Sequence, residues 1–374
     1  MNVALSPATS ATTARTIGDW KQRYSPEQLQ KWRHVCDPLA DGAAQHLKRA
    51  KPSQMFDQVA QLAGAGNADC ARFLELTAQP PAWVDWDLVE HGRRVCLAFS
   101  AVRTMGLLAA LLEGYSLSRA AHVLVATGRL NQDVARRLQE TGQMSHNMNA
   151  PRALLPGGIG HRHVLEVRLL HAMVRRYVRD RHWDVSIYDE PINQEDMAFT
   201  VIEFDHLAAR GMERLGAKLS AADRHAVHHL WRYAAWLHGV DEELITHTPA
   251  EEEFQYHAIL AHQQLLNDES RALADAVLTG LANQPPLNLS ERALRAISRV
   301  MLDEKLAAAY GLEKDLVADA GVALLRQANR LLTAAHYRLP GAARAAEIIH
   351  FEIARRALNE HLGEEDKRAF KGMA

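Results

Sequence analysis

The apolar residues Val164, Val167, Leu170, Val174 and Val178 recur every three or four positions, and that spacing predicts an α-helix. The same period runs through most of the chain, while alternating, strand-like runs are scarce. A chain that is helical nearly throughout can bury its apolar faces only by packing helix on helix, so the expected fold class is all-α. Punctuation places the elements. LVEHGRRVCLAFSAVRTMGLLAALLEG predicts one long helix stopped by Gly114. SLSRAAHVLVATG predicts a helix capped by Ser116 and ended by Gly128, and NQDVARRLQETGQM one that starts at Asn131 and fades at Gly142. PRALLPGGIG reads as a loop, HRHVLEVRLLHAMVRRYVRD as the next helix, and PINQEDMAFT as an entry to a helix from about Gln194.

Residues 1–19, rich in Ser, Thr and Ala, read as disordered, and 20–374 as a single all-α domain. The Pro-rich NQPPLNLSERAL near 283–293 marks a seam before a C-terminal helical portion of about 284–374, which includes the amphipathic GVALLRQANRLLTAAHYRL. A net charge of −2 gives no basis for nucleic acid as a partner. Cys36, Cys70 and Cys96 are odd in number and far apart. They disfavour a disulfide framework, a thiolate zinc site and covalently attached haem, and they suit a reducing, cytoplasmic setting. The greasy run from Val95 carries Arg103 in its middle and reads as a core helix, with a membrane contact the less favoured reading.

Chemistry concentrates first in EVRLLHAMVRR. Arg168 and Arg175 lie three residues before and four after His171, so all three share a helix face. The arginines disfavour a protonated His171, and a neutral imidazole is what a metal needs. Arginines so placed can also pair with the carboxylates of a bound cofactor, such as haem propionates. The bland reading, a surface histidine among solvated arginines, stays open on spacing alone. In VARRLQET, Arg137, Glu140 and Thr141 share a face and could line a pocket with a cation, a carboxylate and a hydroxyl. An exposed Arg–Glu pair is the plain alternative.

RRLQET (136–141), VRLLHAMVR (167–175), PINQEDMAFT (191–200) and WRYAAWLHGVDEELI (231–245) stand in an order and spacing that resemble the latex-clearing proteins. These are bacterial rubber oxygenases, with relatives such as the ER-bound oxygenase of mycophenolic acid biosynthesis. The resemblance covers about 80–260. It implies a globin-like helical core with additional flanking helices, and a non-covalent b-type haem whose iron is held by His171. Arg168 and Arg175 would then lie near the haem, and Arg137 and Thr141 on the distal side, where O2 binds. The implied activity is oxygenase attack on a hydrophobic, unsaturated small molecule. Glu140 stands where the latex-clearing members carry a distal lysine. SLSRAAHVLVATG offers His122 but no Asp or Glu where they carry a catalytic base.

Two other classes remain open in the residues. The pairs Glu203–His206 and Glu347–His350, with Glu166 and Glu313 upstream, have the composition of a di-iron carboxylate site in a helical bundle. A globin-like haem protein could also hold a gas without catalysis. His225 and His229 have metal-ligand spacing but read as helix surface or core, and EEEF at 251–254 reads as a solvated helix start.

Overall fold

A computed structural model describes residues 15–48, 52–127, 134–181, 183–284 and 287–361. They form twenty α-helices and one π-helical turn, with no β-strand among the described residues beyond a single Leu117–Leu265 bridge. The all-α expectation holds.

The greasy run does not form one helix. Trp86–Ala98 and Ser100–Gly114 meet at Phe99 with a 91° bend, and among the described residues no single helix is long and apolar enough to cross a membrane. The break lets each half bury against a different neighbour. Trp86–Ala98 packs on Ala221–His238, and Ser100–Gly114 on Ala208–Arg214. Glycines permit both approaches: a Cβ on Gly92 would stand 2.3 Å from the Ala226 carbonyl oxygen, and one on Gly106 2.4 Å from that of Ala208. Buried Arg103 donates to the Phe204 carbonyl, so its charge is held inside the protein.

Other boundaries shift. The Ser118–Ala126 helix is preceded by Leu117 rather than capped by Ser116, whose hydroxyl donates to the Glu113 carbonyl. Val134–Met148 runs through Gly142, which meets nothing that would force a stop. Asn131 and Gly128 lie outside the described residues. Within the segment expected to be disordered, Ile17–Arg23 is helical, fixed by a Thr16–Asp19 capping box. Gln194–Ile202 begins as expected, with Asn193 as its cap.

Candidate functional site

His171 lies midway along Ile159–Arg179, whose two faces differ. Val164, Leu165, Arg168, Leu169, Ala172 and Arg175 are fully buried. His163, Val167, Leu170, His171 and Val174, on the other side, are only half-buried. The second face is an apolar strip carrying two imidazoles and no charge.

The arginines beside His171 point into the buried side. Arg168 makes a bidentate pair with Asp37, at 2.6 and 2.9 Å, and donates to the Leu237 carbonyl at 3.3 Å. Arg175 pairs with Asp41 at 3.0 Å and donates to the Ile192 carbonyl at 2.7 Å. Its Nη2 is out of solvent and has no hydrogen-bond partner. Asp37 and Asp41 sit at the cap and in the first turn of Pro38–Ala44. The two pairs therefore clamp the His171 helix to that short helix and to the end of Ala221–His238.

That end brings a second histidine to His171. The rings of His171 and His238 are 6.3 Å apart between centroids and 25° from parallel. Gly239 makes the placement possible. It caps the helix at φ +84, and a Cβ there would fall 2.3 Å from Asp37 Oδ2 and 2.5 Å from Arg168 Nε. Gln194 of PINQ holds the exit of the same turn, donating to the Cys36 and Gly239 carbonyls and accepting from the Asp241 amide. Burial, then His171 and Arg168, push the His238 pKa down to about 3, so the ring is neutral; its Nδ1 is out of solvent with no hydrogen-bond partner. Burial likewise lowers His163 to about 4, and this ring meets the Asn147 amide at 2.8 Å.

Asn147 belongs to Val134–Met148, the helix of Arg137, Glu140 and Thr141. The 149–158 turn folds this helix back along the His171 helix, and the Asn147–His163 contact closes one end of the pair. From that contact Thr141 lies about 9 Å, and His171 about 12 Å, along their helices. Glu140 and Thr141 are exposed at this more open end, and the Arg137 side chain lies outside the described residues. A half-buried apolar strip and a histidine held neutral beside another suit a planar, apolar cofactor. On these observations the residues fit haem.

Sequence reasoning missed a different centre. Asp205, His228 and Glu252 bring ligand-type atoms within 4.8 Å of one another, all buried. Asp205 lies in the π-helical turn Glu203–Leu207, a distortion that often marks functional positions. His228 Nδ1 is 2.9 Å from Asp205 and 3.4 Å from Glu252, while Arg224 reaches both carboxylates at 2.5 and 2.9 Å. Burial lowers the His228 pKa, but Asp205 and Glu252 outweigh it and raise it to about 9. Burial also raises Asp205, yet Arg224 and His228 hold it below the usual carboxylate range; burial and Asp205 raise Glu252 to about 7. Two carboxylates facing Arg224 and His228 make a buried ion network, in which His228 Nε2 is left without a hydrogen-bond partner. The available sequence signal was the i, i+4 pair Arg224–His228 on one face of the helix.

The di-iron set is not assembled. Glu347 pairs with Arg93 and Arg344, Glu166 with Arg162, and His350 meets the Leu97 carbonyl. Glu313 is exposed. Burial, then neighbouring Glu113, push the Glu203 pKa well above its ordinary value. His206 is lowered to about 3 by burial and two arginines. His229 Nε2 accepts from the Asp85 amide and His225 is exposed, so they form no metal pair. EEEF is not solvated throughout: Glu251 binds Arg15 and Tyr24, and Glu252 belongs to the ion network. His122 stacks on Tyr188 and lies 3.1 Å from Glu269.

Residues 93–334 match the sequence model of a family described as ER-bound oxygenase mpaB/B'/Rubber oxygenase, catalytic domain. The rubber oxygenase of Streptomyces sp. (strain K30) is 25% identical over 346 residues, spanning 86% of this chain and 82% of that protein. The structure of latex clearing protein LCP in its closed state superposes with a TM-score of 0.65 at 21% identity, over 89% of this chain and 92% of that one, and shows the same fold.

Proposed function

Because the chain belongs to the family of ER-bound oxygenases and rubber oxygenases, and is an oxidoreductase on that ground, we propose that it holds haem b on His171 and uses O2 to attack a hydrophobic, unsaturated small molecule. The observation that carries this reading is His171 itself. It stands on a half-buried, uncharged apolar strip, beside a histidine kept neutral with a nitrogen unsatisfied.

Haem, when bound, supplies the site at which O2 is held and activated. The chain's own residues do the rest. His171 is the iron ligand. Arg168 is a positioning residue: with its donors committed to Asp37 and Leu237, it fixes the rotation of the helix and so the direction of the imidazole. Arg175 acts as a second clamp on the same helix, through Asp41 and the Ile192 carbonyl. Val167, Leu170 and Val174 exclude water from the apolar face. On the proposed distal side, where Arg137 also belongs by its sequence position, Thr141 can donate a hydrogen bond and Glu140 can accept a proton. A carboxylate at 140 changes the distal chemistry from that of relatives carrying an amine there. Family membership in oxygenases sets aside the gas-holding alternative.

Purified protein is expected to show a Soret band and one iron per chain, both lost in His171→Ala, and to consume O2 with unsaturated terpenoids or lipids. Absence of the band after haem addition to the folded wild-type chain refutes the proposal.

A further inference from the structure

Leu316–Arg338 is apolar on two faces. Its inner face carries buried Val322 and half-buried Leu325, with buried Asn329 donating to the Leu215 carbonyl. Its outer face carries Val317, Leu324 and Leu331, which are 70%, 74% and 73% exposed. A helix with apolar residues on both sides is expected to be covered on both. Leu316, Leu332 and Leu339, and Ile348, Ile349 and Ile353 of the following helix, are also more than half exposed. Nine large apolar side chains this exposed on two consecutive helices are more than singly scattered surface hydrophobes.

The outer face has a second regularity. Its large residues, 317, 324 and 331, repeat every seven positions, and so do the small residues Gly321, Ala328 and Ala335 between them. A Cβ built on Gly321 meets nothing within 4 Å, so the hollow is open. Two such helices laid antiparallel about a two-fold axis at position 326 bring each large residue over a small one: Val317 over Ala335, Leu324 over Ala328, and Leu331 over Gly321 of the other copy. A lipid surface has no use for this alternation, whereas an isologous helix pair needs it.

We propose that the chain is a homodimer through the outer face of Leu316–Arg338, paired antiparallel in this register. The test uses the full-length protein. Sedimentation equilibrium across the micromolar range is expected to give twice the chain mass of 41.7 kDa. Leu324→Glu/Leu331→Glu is expected to weaken self-association roughly a hundredfold or more while leaving the helical circular dichroism unchanged, because both sites are exposed in the single chain. Val317→Cys/Ala335→Cys is expected to form intermolecular disulfides, whereas Val317→Cys alone is not, since those two thiols would stand about 27 Å apart along the axis. A monomer at all concentrations overturns the proposal. So does a dimer unaffected by the double glutamate variant, cross-linking by Val317→Cys alone, or a monomeric chain that co-sediments with phosphatidylcholine vesicles through this face.

Discussion

The centres at His228 and His171 both contain a histidine on a long helix with arginine nearby, and they resolve the same physical problem in opposite ways. Around His228 every charge has an opposite within hydrogen-bond reach, and the ring is held protonated by Asp205 and Glu252. Around His171 the arginines have been drawn away to Asp37 and Asp41, and the neighbouring His238 and His163 are held neutral. Each centre leaves buried nitrogen without a partner, His228 Nε2 in one and His238 Nδ1 and Arg175 Nη2 in the other, so what separates them is charge: ion-paired around His228, turned away from the apolar strip around His171. The contrast separates an ion-paired centre from a neutral one on an apolar strip, the one the proposed function takes as its ligand site.

The largest expected effects break the contrast outright. His171→Ala is expected to abolish the Soret band and reduce kcat/KM by at least ~100-fold with the fold intact, because it removes a ligand and not a brace. Asp205→Ala is expected to do the reverse. It leaves His228 and Arg224 buried with a single carboxylate and destabilises the chain by about 3–5 kcal/mol in urea unfolding, with haem uptake by the folded fraction retained. Equal effects of the two variants on stability would erase the distinction. Gly239→Ala comes next. It strains a left-handed backbone and pushes against Asp37 and Arg168, costing about 1–3 kcal/mol and shifting the absorption spectrum by turning His238.

Titration sharpens the comparison further. The folded pKa of His228, about 9, lies above the ordinary 6.5. Its stabilisation is therefore full below pH 6.5 and is lost as pH rises through 9. His238 and His163 are depressed to about 3 and 4, so their contribution is present above pH 6.5 and falls as pH drops toward those values. Thermal unfolding against pH should show both limbs, with only the alkaline one removed by His228→Gln. The smallest effect on stability is expected from Glu140→Lys, within ~0.5 kcal/mol at an exposed site. Its absorption spectrum is expected to change if residue 140 faces the iron, and an unchanged spectrum would remove Glu140 from the pocket.

Much of this was legible from local pattern. Helical period places the elements, the helix from Gln194 among them, although Ser116 is not the cap it was expected to be, and the spacing around His171 singles out its helix. What stayed hidden depends on partners distant in sequence. Arg168 and Arg175 find their carboxylates more than 130 positions away, so no local spacing could tell a cofactor-facing arginine from a clamp. Asp205 was invisible for a similar reason: inside EFDH it draws less attention than the Glu203–His206 pair flanking it, and only the fold brings it to His228. The 95–114 run misled because hydropathy reports burial and not direction, and a 91° bend leaves composition unchanged.

The π-helical turn at Glu203–Leu207 takes up one residue more than an α-helical path would, and α-helix continues on either side of it. Trimming a single position from EFDHL is thus the deletion the surrounding helices would tolerate best and the ion network least. Relatives that differ in length at this point should differ in whether the counterpart of His228 carries a proton.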